Sequence, residues 1–261
     1  MSANLIRYLE EISGNAWPAA VVQVVDGWRL RFNWGVTRRA NSVWANQVDN
    51  QQTLAEKLAL VEDFYARRGY PARYQICPAN QPADLDAVLA ERGYTSDAST
   101  SVQIASVATV LDRTGADSVA VVRVIDAFDE TWFAAYCRIE QFNDRAAQAR
   151  RDILQRIAPR IGYALLNIDD QPVAVGSAVV ERGWAGFFGM ATQPQFRRRG
   201  AATAILHALA KWSQSYQAAQ MYLQVMENNA PARALYEKAG FESLYSYHYR
   251  EAPIKRLGIG D

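Results

Sequence analysis

Residues 190–204 read MATQPQFRRRGAATA. A strand is expected to end at Thr192, Pro194 turns the chain, and Arg197–Ala202 leads straight into a helix. Gly200, followed by the small residues Ala201 and Ala202, lets a ligand approach the backbone closely. The first N–H groups of such a helix have no intrahelical partner and lie at the positive end of its dipole. That makes the turn a ready site for a phosphate or pyrophosphate. Arg197, Arg198 and Arg199 add charge and fork-shaped donors. The same residues also fit a solvated charge run ahead of a surface helix. No Gly-Lys-Ser/Thr follows, so the loop is not a Walker A motif, and GxGxxG is absent, so it is not a dinucleotide fingerprint.

Outward from this loop the pattern is mixed. Trp184–Thr192, Val173–Glu181 and Tyr163–Ile168 read as three strands in sequence, joined by the turns Arg182-Gly183 and Asp169–Pro172. Val119–Ile125 is a β-branched strand, and Asp129–Cys137 and Asn143–Ile157 carry helical spacing. Gly200–Tyr216 repeats Ile205, Leu206, Leu209, Ala210 and Trp212 near period 3.6. Met221–Val225 is a short strand. Pro231–Ala239 is a helix with proline at its first position and Gly240 as its stop. Phe241–Arg250 closes as an aromatic strand. The order is β-α-α-β-β-β-α-β-α-β, a mixed α/β class with a mainly antiparallel sheet flanked by helices.

The earlier half has the same closing order. Val21–Val25, Trp28–Phe32 and Arg39–Trp44 read as strands, Thr53–Arg68 as an amphipathic helix, Ala72–Ile76 as a strand, Ala83–Arg92 as a helix and Thr100–Ala108 as a strand. Even the helix ends rhyme, Ala90-Glu91-Arg92-Gly93-Tyr94 against Glu237-Lys238-Ala239-Gly240-Phe241. The pattern predicts a divergent internal duplication. The small, polar stretch Leu111–Ser118 marks the boundary, giving domains at 1–110 and 119–261.

The chain has 261 residues, 50% apolar and 21% charged, enough for one or two domains with a sizeable core. Apolar runs stop far short of the ~20 residues of a membrane span, and the opening MSANLIRYLEEIS carries acids where an export signal would be apolar. Cys77 and Cys137 sit in no metal-ligand spacing, which suits a reducing cytoplasm. With only His207 and His248, His-rich metal chemistry has little to work with. The net charge of +1 argues against a nucleic-acid polycation. Residues 1–118 hold 11 Lys/Arg against 13 Asp/Glu, a net of −2, and residues 119–261 hold 17 against 14, a net of +3. An anion site belongs in the second half.

A second segment, Asn228–Phe241 (NNAPARALYEKAGF), decides among the readings of the loop. Together the two segments resemble the GNAT superfamily of N-acetyltransferases. The family's pyrophosphate loop, Gln/Arg-x-x-Gly-x-Gly/Ala, is met by Arg197, Gly200 and Ala202, and a preceding Thr/Val-x-Pro by Thr192 and Pro194. Its Asn-x-x-Ala-x-x-Leu-Tyr-x-x-x-Gly-Phe motif is met by Asn229, Ala232, Leu235, Tyr236, Gly240 and Phe241. The resemblance covers about 119–250, and with the duplication it implies two tandem GNAT-like domains, the first a degenerate copy. It implies transfer of an acetyl group from acetyl-CoA to a primary amine, without metal, nucleic acid or membrane. Backbone groups of Met190, Ala191 and Thr192 would pair with the pantetheine arm. N–H groups from Arg197 to Thr203 would hold the pyrophosphate. Asn229 would bond the arm or fix its loop, and Tyr236 would protonate the departing thiolate, a role open to a phenol of pKa ~10.

The motifs fix no general base. Glu140, Glu181 and Glu227 are the carboxylates to inspect, and a water relay would serve as well. Tyr236 could instead be core packing, and Asn228-Asn229 a helix cap. His207 reads as structural, His248 as a weaker candidate for an acceptor pocket among Tyr245, Tyr247 and Tyr249, and Cys137 as a small buried residue. The first half's counterpart of the phosphate loop, Trp44–Thr53, has neither glycine nor arginine. Gly35–Ser42, near Trp28, Trp34 and Trp44, could supply acceptor contacts. The rival reading is a non-catalytic CoA-binding or protein-interaction module. Acceptor identity and oligomeric state stay open.

Overall fold

A computed structural model describes residues 3–47, 49, 51–115 and 121–253. The chain forms two compact units. The N-terminal unit holds residues 3–14, 19–100 and 246–253, and the C-terminal unit holds 15–18 and 101–245.

The N-terminal unit opens with α1 (Ala3–Asn15), whose Ile6, Leu9 and Ile12 are buried at helical spacing. The sequence reading used this stretch only to argue against an export signal. β1 (Val21–Val25) and β2 (Trp28–Phe32) form a hairpin on the two-residue turn Asp26-Gly27. β3 (Val43–Trp44) follows, then α2 (Leu54–Ala66), β4 (Arg73–Ile76), α3 (Leu85–Glu91) and the start of β5 (Thr95–Ser106). β3 runs parallel to β4, with Val43 opposite Tyr74. The core gathers Trp28, Leu30, Leu58, Val61, Phe64 and Tyr74. The expected strand Arg39–Trp44 shrinks to two residues for a local reason. The Asn41 side chain accepts from the N–H groups of Asn33 and Gly35 and donates to the carbonyls of Val36 and Thr37, so the segment bonds to itself.

In the C-terminal unit come α4 (Val107–Gly115), β6 (Val122–Ile125), α5 (Glu130–Glu140), α6 (Asp144–Arg156), β7 (Arg160–Ile168), β8 (Gln171–Glu181) and β9 (Trp184–Thr192). A 3-10 turn at Pro194–Phe196 leads to α7 (Ala201–Ser215), β10 (Gln220–Met226), α8 (Ala230–Lys238) and β11 (Glu242–Glu251). β6, β7, β8 and β9 pair antiparallel in order, β9 pairs parallel with β10, and β5 lies on the other side of β10. The core packs α7 and α8 on the sheet through Ile205, Leu209, Met221, Phe187 and Phe241. The boundary expected at Leu111–Ser118 is a correction: Leu111–Gly115 continues α4, where Thr114 bonds the Val110 carbonyl (2.6 Å) and Leu111 packs on the core. Residues 116–118, and Val119 and Ala120 of the expected strand, lie outside the described residues.

Each unit takes a strand segment from the other half of the sequence. From Ser101 onward β5 belongs to the C-terminal unit, and from Ser246 onward β11 belongs to the N-terminal unit. There His248 pairs with Ile76 and Arg250 with Tyr74 on β4. The units are therefore not the contiguous halves 1–110 and 119–261. A fragment 119–261 expressed alone loses a strand from its sheet and should show little cooperative unfolding by circular dichroism. Co-expression with 1–118 should restore the transition.

Candidate functional site

The site is built from a ladder that stops. β9 and β10 are in register at Trp184/Gln220, Ala185/Met221 and Gly186/Tyr222, and no pair follows. β9 continues for six residues to Thr192 and β10 for four to Met226. Past Gly186 no register pair joins β9 to β10. Opposite, β9 stays bound to β8, with Ala191 facing Val175 and Thr192 facing Ala174. Between those pairs and Phe188/Ser177 the register shifts, so that Gly189 and Met190 together oppose Gly176. Gly189 has φ +60, a left-handed value at no steric cost for glycine. The sequence reading missed this bulge, although a glycine inside a strand pattern is its usual signal.

Just beyond the gap, the loop turns directly into the N-terminus of α7. Arg198 and Gly200 both take positive φ, 59 and 81. Gly200 caps α7 without a side-chain bond, and the first turn of α7 contains no acid. The first helical bond is Ala204 N–H to the Gly200 carbonyl (2.9 Å), so the N–H groups of Ala201, Ala202 and Thr203 precede it. Arg197 has a different task. Its N–H donates to the Pro194 carbonyl (3.3 Å) and its Nε to the Thr192 carbonyl (3.2 Å), bracing the turn.

Tyr236 lies on α8 with its ring buried against Phe241 (centroids 5.9 Å) and is 8% exposed. No protein group among the described residues takes its hydroxyl in a hydrogen bond. Burial pushes its pKa up to about 12. Asn229 caps α8, its Oδ1 accepting from Ala232 N–H (3.3 Å), and Ala230–Pro231 open the helix.

The other candidates are engaged elsewhere. Glu181 accepts from Asn15 Nδ2 at 3.0 and 3.1 Å and from Arg182, which ties residues 15–18 to β8. Nearby, Trp17 stacks on Phe188 (6.0 Å), and Phe188 meets Tyr222 edge-on (6.3 Å). Glu140, at the end of α5, is shifted upward by burial and pulled back by Arg150 and Arg197. The backbone carbonyl of Glu227 accepts from the Arg233 guanidinium (3.3 Å), a contact that leaves the role of its carboxylate open. His207 Nδ1 bonds Thr114 Oγ1 (3.0 Å), a structural link, and burial lowers its pKa. His248 pairs with Asp86 (2.9 Å) beside Arg250 in the N-terminal unit. Burial raises the Cys137 pKa, which keeps it a thiol rather than a nucleophilic thiolate. Among the described residues no cluster of His, Cys, Asp or Glu is placed to hold a metal ion, and no helix is long and apolar enough to cross a membrane.

The family model described as "Probable histone acetyltransferase Rv0428c C-terminal" matches residues 3–250. The chain belongs to this family. An "Uncharacterized N-acetyltransferase YobR" of Bacillus subtilis (strain 168) is 29% identical over 253 residues, 96% of this chain and 99% of the relative. Two solved structures share the fold at 14% identity. A GCN5-related N-acetyltransferase from Kribbella flavida aligns with TM-score 0.66 over 98% of this chain and 97% of its own. A tandem GNAT protein from the clavulanic acid biosynthesis pathway aligns with TM-score 0.63 over 78% and 72%. The chain is thus an N-acetyltransferase, as the loop and helix motifs implied, and it shares its fold with GNAT structures, a tandem one among them.

The packing at the point where the ladder stops is tight. A Cβ at Gly186 would lie 2.4 Å from the Tyr222 hydroxyl and ring and 2.8 Å from Phe188. Gly186→Ala should therefore destabilise the acetyltransferase by about 1–3 kcal/mol, measured by urea unfolding.

Proposed function

We propose that this acetyltransferase moves the acetyl group of acetyl-CoA to a primary amine of a small molecule, amino acid or peptide, by direct attack, at the gap between β9 and β10. The interrupted parallel ladder carries this reading, because it leaves a row of backbone donors and acceptors for an extended, amide-bearing arm. Backbone groups of Met190, Ala191 and Thr192 pair with that arm. N–H groups from Arg198 to Thr203 hold the pyrophosphate, aided by the charge of Arg198 and Arg199 and by the dipole of α7. Arg197 holds the turn rather than the phosphate. Asn229 keeps its Nδ2 for the arm while its Oδ1 caps the helix. The unpaired Cys77 and Cys137 support a reducing, cytoplasmic setting for this activity.

In the reaction the amine nitrogen attacks the thioester carbonyl, a C–N bond forms and the C–S bond breaks. Tyr236 gives its phenolic proton to the departing sulfur and regains one, through solvent, from the nitrogen. A phenol shifted to about 12 is protonated at every physiological pH, so it serves as donor and never as base. The Glu181 carboxylate is already occupied by Asn15 and Arg182, and the ammonium proton leaves by way of water.

The N-terminal unit is read as a degenerate copy. Its β3, α2 and β4 repeat β9, α7 and β10, parallel strands included. Its cradle is filled by its own acids. The Asp26 carboxylate accepts from Gln51 N–H (2.8 Å) and pairs with Lys57 (3.1 Å), while Glu56 and Thr53 form a capping box on α2. Its gap is closed as well, by Gln81 N–H on the Ala45 carbonyl (2.6 Å) and by Asn80 Nδ2 on Asn46 Oδ1 (3.3 Å).

Two outcomes test the reading. Gly200→Glu places a carboxylate in the cradle and should abolish acetyl-CoA binding in calorimetric titration, whereas Asp26→Asn should leave it unchanged. Tyr236→Phe should lower kcat by roughly 10²–10⁴ with little change in the acetyl-CoA KM. In the wild type, kcat/KM should rise with pH as the acceptor ammonium (pKa ~10.4 for an alkyl amine) loses its proton. Because the Tyr236 pKa is raised, no alkaline fall from this residue should appear below about pH 11.

A further inference from the structure

The internal repeat shows what covers the outer edge of a GNAT sheet here. In the C-terminal unit the hairpin β7–β8 leads to β9, and β6 lies antiparallel on the outer edge of β7, from Val122/Leu166 to Ile125/Tyr163. In the N-terminal unit the hairpin β1–β2 leads to β3 in the same way, and no strand lies beyond β1 among the described residues. β1 is thus a sheet edge at a position that its counterpart in the same chain has filled.

The edge is apolar and unguarded. Its sequence, Val21-Val22-Gln23-Val24-Val25, contains no charge and no proline, the residues that usually blunt an edge. Val22 and Val24 are 53% and 63% exposed. The hairpin closes at Val25/Trp28 on a two-residue turn in which Asp26 and Gly27 both have positive φ, 44 and 82, the type I′ geometry. Val25 and Trp28 then form a hydrogen-bonded pair. By alternation Val21, Gln23 and Val25 aim their backbone groups at β2, and Val22 and Val24 aim theirs outward.

We infer that β1 pairs antiparallel with β1 of a second copy, about a two-fold axis through Gln23. The five residues read the same in both directions, so this is the self-complementary arrangement a two-fold interface requires. Val22 of one copy meets Val24 of the other, the outward N–H and C=O groups of both bond reciprocally, and Gln23 meets its own mate. No charge faces a like charge. Ala20 comes opposite Asp26, whose carboxylate is already held by Gln51 and Lys57. A five-residue ribbon buries less than the ~1,200 Å² of a standard stable interface, so the dimer forms reversibly, at micromolar concentration or above.

The test is the mass of the full chain by sedimentation velocity, from low micromolar to near millimolar concentration. The expected result is a concentration-dependent dimer. Val24→Lys, with an unchanged thermal transition, should run as one chain throughout. In a Cys137→Ser background, Gln23→Cys lies on the axis and should form a disulfide-linked dimer on oxidation, because directly opposite β-carbons lie ~4.5–5.5 Å apart. Val24→Cys, which faces Val22 of the other copy, should not. A wild type that is monomeric at every concentration and gives no Gln23→Cys link overturns the proposal. So does a dimer that survives Val24→Lys undiminished, or one that links through Val24→Cys and not through Gln23→Cys.

Discussion

The parallel ladder between β9 and β10 closes for three residue pairs and then opens, and the rest of the C-terminal unit is arranged around that interruption. Backbone N–H and C=O groups must find partners when they are taken from water. Two strands that separate inside a sheet therefore leave backbone groups to be met by something other than each other, which is where the proposed arm would lie. The neighbouring features keep the opening in place. On the closed side of β9, pairing with β8 continues to Ala174/Thr192, and the bulge at Gly189 and Met190 bends the strand where it leaves β10. At the last closed pair, Tyr222 sits so close to Gly186 that no larger residue fits.

The two units solve the same local problem in opposite ways. Both have a strand, a helix and a strand with the two strands parallel. In the C-terminal unit the helix begins at a glycine with no side-chain cap, behind three arginines. In the N-terminal unit the corresponding helix begins with Thr53 and Glu56 bonded to each other's backbone, and Asp26 takes the loop's Gln51 N–H. An internal carboxylate satisfies the donors that an external anion could otherwise use, and it stays with the chain whether or not ligand is present.

The N-terminal unit also uses polar residues as internal bracing. Arg31 is buried, with its guanidinium 3.9 Å from the Trp44 ring and bonds to Ser42 and Gln75, and burial lowers its pKa to about 10. Gln75 passes the network on to Glu10 on α1 (2.6 Å). Such a group is stable only while each of its partners is in place. A buried polar network of this kind suits a unit read as support rather than as a second catalytic centre.

Much of this was legible in the residues. Periodicity located most C-terminal elements to within a few positions, because α7 and β7–β9 are long and their apolar faces repeat cleanly, while α4 was read as a strand end and a boundary. Arg197, Gly200, Ala202, Asn229 and Tyr236 match the GNAT motifs, a turn into a helix and a capped helix carrying an aromatic, and that resemblance pointed to the family. Other features depend on partners distant in sequence. Arg197 as a brace on Thr192, Glu181 held by Asn15, and Asp26 filling a loop 25 residues away leave no mark in any short window. Nor does the exchange of β5 and β11 between units, since a strand's pattern records which face is buried but not which sheet it joins. Residue spacing was enough for most of the elements and for the loop, and the motif resemblance pointed to the family. Where the β9–β10 ladder stops, which loop meets Asp26 and what holds Glu181 came from the fold, because each depends on where backbone and side-chain donors from separate segments meet.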